Sequence, residues 1–176
     1  MPLNPAALAN KIMSAIQNQD KADTVMRKLG QAISEYLCDN TTVMYSWVGM
    51  QPAVPSPIPD PVVVCQSTRL MGSFVCTPTN ATSATQNGIQ LGEQIRSGIG
   101  QLQAVPPTGF SIPPATFANA APILLMPTQA TSGFQHWLQW STTIITTFMT
   151  YINPTPLPGA HASFIGSPGA IMTTIF

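Results

Sequence analysis

Ionised side chains are what this sequence has least of. Only 7% of its residues are Asp, Glu, Lys or Arg, six acidic against six basic, where about 25% is usual for a soluble domain. Most of these lie between Lys11 and Asp39, and beyond Arg96 there is none. The scarcity excludes a basic face that would neutralise phosphates, so no nucleic-acid partner is expected. Long apolar runs are missing too. The longest uncharged helical stretch, 134–152, is broken by Gln, Ser and Thr and falls short of a membrane span. The opening "MPLNPAALANKI" has neither a basic leader nor an apolar run before a cleavage site, so neither a signal peptide nor a membrane partner is expected. Cys38, Cys65 and Cys76 are an odd set that suits synthesis in a reducing cytoplasm. With no secretory signal, Asn40-Thr41-Thr42 and Asn80-Ala81-Thr82 are chance matches to glycan acceptors.

Catalytic signatures are equally scarce. Asp20 with Asp23, or Asp39 with Asp60, are the available carboxylate pairs, and helix capping or turns account for them. His136 and His161 are far apart and no Cys-x-x-Cys exists, so no metal site is expected. A serine or cysteine nucleophile in the carboxyl-terminal half would have to import its acid from Asp39, Asp60 or Glu93. "GEQIRSGIG" has glycines without the lysine or spacing of a phosphate loop, and "GSPGA" is a turn by composition. The expectation is a non-enzymatic chain with no catalytic residue, no cofactor and no metal.

What is present is uncharged polarity on a normal apolar base. Hydrophobic residues make up 44%, and the polar share is carried by Thr, Ser, Asn and Gln. Asn4-Pro5 opens a helix whose stripe is Leu8, Ile12 and Ile16. Asp20 or Asp23 opens a second, lined by Val25, Leu29, Ile33 and Leu37. Val43, Tyr45 and Trp47 alternate as in a strand, and "MQPAVPSPIPDP" is an extended, stiff connector. "VVVCQ" and "GSFVC" read as a β-hairpin, leaving open whether Cys65 and Cys76 form a disulfide across it or stay as two buried thiols. Leu91, Ile95, Ile99 and Leu102 mark a third helix carrying Gly88, Gly92, Gly98 and Gly100. Those glycines imply either close approach by a neighbouring backbone or a frayed helix. The uncharged segment with Phe110, Ile112, Phe117, Ile123, Leu124, Leu125 and Met126 reads as an arm laid over another surface.

The expected fold is α+β, a single structural domain. It comprises a helical hairpin plus first strand (1–49), a proline-rich connector (50–61) and a β-hairpin with a Gly-containing helix (62–104). An extended apolar arm (105–130) and an uncharged amphipathic helix with a carboxyl-terminal tail (131–176) complete it. The last helix, from Thr131 or Ser132 to Ile152, bears Gln and Thr where a solvated helix bears Lys and Glu. Burying hydrogen-bonded Thr or Gln costs little, whereas burying Lys or Glu strands a charge. Residues 97–176 are thus expected to be enclosed by protein, either the amino-terminal part or other subunits, with Phe110, Phe117, Trp137, Trp140, Phe148, Phe164 and Phe176 as interface anchors.

Three stretches carry a resemblance: "NPAALANKIMSAI", "EYLCDNTTVMYSWVG" leading into "IPDPVVV", and "GAHASFIGSPGAI". They resemble small virion structural proteins of tailed bacteriophages, found among tail and baseplate components. The resemblance implies an architectural subunit made in the host cytoplasm and located in the virion, at the tail, baseplate or neck. Its expected partners are itself, as a homo-oligomer or multi-copy assembly, and other virion proteins. It supplies no active-site residue and leaves 105–127 uncovered. The alternatives are a capsid decoration or cement protein, a carbohydrate- or host-receptor-binding module using Trp137 and Trp140, and a lytic membrane helix at 134–152.

Overall fold

The computed structural model describes residues 3–51, 60–111, 115–116, 121–127, 129–150, 157–158, 160–161 and 169–175. They form an α+β fold of helices packed with an antiparallel sheet. Helix α1 (Pro5–Ala15) starts as its sequence dictates: the Asn4 side chain accepts from the Ala6 amide at 2.9 Å, and Pro5 occupies the first turn. Helix α2 (Ala22–Asn40) departs from expectation, because neither aspartate caps it. Asp20 instead accepts from the Gln17 amide at 2.8 Å and from Lys28 Nζ at 2.7 Å, while Asp23 sits in the first turn. The two helices pack together. The Tyr36 hydroxyl bridges the Asn4 N–H and C=O, and Lys11 pairs with Glu35 and Asp39.

Strands β1 (Thr42–Gln51) and β2 (Asp60–Arg69) pair antiparallel from Thr42↔Arg69 to Gln51↔Asp60. The proline run therefore joins the two arms of a hairpin. Pro61 lies near one end of β2, an edge strand, where a missing donor is tolerated. The stiff-connector expectation otherwise falls on 52–59, outside the described residues. Val43, Tyr45 and Trp47 point into the core, all at most 1% exposed, and the Tyr45 hydroxyl donates to the Ala104 carbonyl at 2.6 Å. The expected hairpin between "VVVCQ" and "GSFVC" does not form. Residues 72–76 make no strand, since Gly72, at φ +129°, turns the chain and Phe74 and Cys76 are drawn into the core beside α2 and α3. Cys65 is exposed on β2, Cys76 is buried, and both are free thiols.

Helix α3 (Ala84–Ile99) buries Leu91, Ile95 and Ile99, and its glycines are explained by close approach. A Cβ on Gly88 would lie 1.7 Å from the Leu125 carbonyl oxygen, and one on Gly92 1.8 Å from that of Ile123. The extended segment 121–127 thus lies directly on α3, with Ile123 and Leu125 buried and Leu124 and Met126 exposed. Each glycine costs the helix about 1 kcal/mol relative to Ala, whereas burying Ile or Leu contributes about 1.5–3 kcal/mol. The exchange favours contact over helix propensity. This part of the expected arm packs on its own chain.

Helix α4 (Gly133–Thr150) packs against α1. Its start copies that of α3. Pro78-Thr79-Asn80-Ala81-Thr82-Ser83-Ala84-Thr85-Gln86 and Pro127-Thr128-Gln129-Ala130-Thr131-Ser132-Gly133-Phe134-Gln135 share Pro-Thr-x-Ala-Thr-Ser-x-x-Gln. In both, the serine hydroxyl accepts the glutamine amide at 3.2 Å, and the threonine donates its N–H and hydroxyl to the glutamine side-chain oxygen. A buried pattern runs through all four helices: Leu8-Ala9-x-x-Ile12, Leu29-Gly30-x-x-Ile33, Leu91-Gly92-x-x-Ile95 and Trp140-Ser141-x-x-Ile144. The small residue admits a close neighbour. At Gly30, a Cβ would meet the Cys76 backbone nitrogen at 2.7 Å.

Two residue pairs close short ladders, β3 (Gln103–Ala104) with β5 (Ala115–Thr116) and β4 (Phe110–Ser111) with β7 (Ala160–His161). The carboxyl-terminal segment provides β6 (Leu157–Pro158) and β8 (Gly169–Ile175). Strand β8 pairs with β1 from Val43↔Ile175 to Gly49↔Gly169, so the main sheet runs β2-β1-β8-β6. Expected as a tail reaching a neighbour, this segment has its backbone inside the chain's own sheet.

Candidate assembly surfaces

Along α4, Gln135, Gln139, Thr142, Thr146 and Met149 are exposed at alternating steps of four and three, which places them in one stripe on the outer side. Trp140, Ser141, Ile144, Ile145 and Phe148 face the core. The stripe carries no charge. Its threonines need little from water, since Thr142 donates to the Leu138 carbonyl at 2.8 Å, as does neighbouring Thr143 to that of Gln139 at 3.2 Å. The exposed face of α2, with Arg27, Gln31, Glu35 and Asp39, is by contrast an ordinary solvated surface.

The outer face of the sheet is the second uncharged surface. In register across β1 and β2 stand Met44 with Ser67, Ser46 with Cys65, and Val48 with Val63. Positions 170, 172 and 174 of β8 continue the same rows with Ala, Met and Thr. Val48 and Val63 are 42% and 60% exposed, and no described element lies over them. The Ser46 hydroxyl and Cys65 thiol are 3.4 Å apart.

The expected anchors separate into two groups. Phe110, Trp140 and Phe148 are buried within the single chain, so their aromatic area is already covered: Phe110 packs on Tyr45 at 5.9 Å between ring centroids, and Trp140 donates its indole N–H to the Met126 carbonyl at 3.2 Å. Trp137 is half-buried, edge-on to Trp140 at 5.6 Å, with His136 packed against both rings. Burial lowers the His136 pKa. Phe117, Phe164 and Phe176 lie outside the described residues. The sheet face, unlike the aromatics, drew no attention in the sequence. Its signal was Met44, Ser46 and Val48 interleaved with the buried row.

No arrangement of these residues supports acid–base chemistry. An open groove between α2, α3 and 73–77 has Glu93 as its one ionisable lining residue among those described, and Glu93 pairs with Arg96 at 2.8 Å. Gln94 in the same groove is held by the Thr77 backbone, accepting its N–H at 2.7 Å and donating to its carbonyl at 3.1 Å. Burial pushes the Cys76 thiol up to about 11, and burial followed by the charge of Asp39 raises that of Cys38. Both disfavour a reactive thiolate. Among the described residues no cluster of metal-ligating side chains exists, and no helix is long and apolar enough to cross a membrane. No protein-family model, curated protein or solved structure matches the chain.

Proposed function

We propose that this chain is a structural, non-enzymatic subunit of a multi-copy particle, packing between neighbouring subunits in the tail, baseplate or neck of a tailed bacteriophage. The observation that carries the architectural part is the uncharged outer stripe of α4. Gln135, Gln139, Thr142, Thr146 and Met149 are exposed in the single chain yet hold nothing that would be costly to cover. The zero formal net charge acts in the same direction, because little repulsion opposes the approach of copies. The viral part rests on the likeness of the three stretches noted in the sequence. A carbohydrate platform is disfavoured, since Trp140 is buried with its indole N–H engaged and leaves Trp137 without a paired exposed ring.

Two measurements test the two parts separately. Light scattering on the size-fractionated protein should give a mass above that of one 18.7 kDa chain. A monomer at every concentration would overturn self-association. Mass spectrometry of purified phage particles should find the chain at a fixed stoichiometry, and its absence from them would overturn the viral reading.

A further inference from the structure

Strand β2 is an edge of the main sheet and one of its two longest strands. Edge strands offer unpaired N–H and C=O groups, and monomeric proteins blunt them with Lys, Pro or other charges. The run Val62-Val63-Val64-Cys65-Gln66-Ser67-Thr68 has none of these. It is rich in β-formers, and Val63, Cys65, Gln66 and Ser67 are exposed. The ionisable acid and base of the strand stand at its opposite ends, Asp60 at the start and Arg69 at the finish.

We propose that β2 pairs antiparallel with β2 of a second copy of this chain about a two-fold axis at Cys65, joining two four-stranded sheets into one. The axis follows from the sequence of the strand. Opposed residues in an antiparallel pair share a face, and centring on Cys65 pairs the whole uncharged run 62–68 with itself. Val63 then stands opposite Ser67 of the second copy, and Cys65 opposite its own counterpart. Pro61, with no N–H to give, falls opposite Arg69 at the end of the ladder. The charges choose the occupant: self-pairing brings Arg69 of each copy beside Asp60 of the other, whereas parallel pairing would set like charges together. The far edge of the sheet is the two-residue β6, too short to propagate, so the assembly closes as a dimer. This inference rests on the reading of the chain as self-associating and specifies one contact within it.

The full-length protein tests it in two steps. Mild oxidation with diamide should trap a reducible covalent dimer that disappears in Cys65→Ser and persists in Cys38→Ser. The paired substitution Val63→Lys with Ser67→Lys opposes like charges across the axis and should weaken dimerisation at least tenfold in light scattering. Val63→Lys with Ser67→Glu opposes unlike charges and should restore it, which separates a lost contact from a lost fold. A multimer that neither cross-links through Cys65 nor responds to these charges would overturn the β2 contact and leave the architectural reading standing. A monomer throughout would overturn both.

Discussion

Asp20 shows how one of the few charges is used. Its carboxylate is held by Lys28 and, secondarily, by the Gln17 amide, and these hydrogen bonds keep its pKa below the ordinary 3.8. A carboxyl group more acidic when folded than when unfolded stabilises the fold above the unfolded value and ceases to do so as pH falls through the folded one. Asp20→Asn should therefore be less stable than the parent near neutrality, with the gap closing as pH drops below 3.8. Urea denaturation at a series of pH values checks this, and a gap independent of pH would assign the loss to packing. Ser141 is the opposite kind of residue. It is fully buried, its hydroxyl has no partner among the described residues, and it occupies the position that holds Ala9, Gly30 and Gly92 in the other helices. What matters there is small size, and the hydroxyl contributes no bond.

At the scale of elements, the decisive contact is an extended segment resting on glycine. Residues 74–76 lie at Gly30 and Gly98, and 123–125 lie at Gly88 and Gly92; each segment then leads through the shared Pro-Thr-x-Ala-Thr-Ser-x-x-Gln start into the next helix. Gly92→Ala pits two effects against each other. Helix propensity gains about 1 kcal/mol, but the new Cβ sits 1.8 Å from the Ile123 carbonyl oxygen, which is backbone and cannot rotate aside. The expected outcome is a net loss of about 2 kcal/mol or more, read from chemical denaturation. A gain in stability would mean that 121–127 is not seated on α3. The glycines were legible in the sequence as a demand for close approach, and Leu91, Ile95 and Ile99 as a core stripe, because both follow from local spacing. Which backbone approaches was not, since Ile123 and Leu125 are distant in the chain from Gly92 and Gly88.

The whole molecule depends on a late strand completing an early hairpin. β8 pairs along β1, whose inner row Val43, Tyr45 and Trp47 is buried beneath the helices. Removing residues 169–176 should strip one side of β1, leave its N–H and C=O groups unpaired and loosen that row. We expect loss of a cooperative thermal transition and a red shift of tryptophan emission as Trp47 meets water. A cooperative transition with unshifted emission would show that the sheet stands without β8. Such pairing between distant segments also favours slow folding.

Local chemistry was enough to determine where helices begin, which stripe each buries, that Val43, Tyr45 and Trp47 form one face of a strand, and that charge is withheld from the second half. These depend on periodicity, capping side chains and composition, all carried by neighbours in sequence. Tertiary structure decided what the sequence could not: that β1 pairs with β2 and β8 and 72–76 with neither, that Cys65 and Cys76 lie apart, and that Phe110, Trp140 and Phe148 serve the chain's own core. The reason is physical. Alternation and helical stripes announce that a face will be covered, but the identity of the cover depends on contacts between distant segments, and these are settled only when the competing surfaces meet in three dimensions.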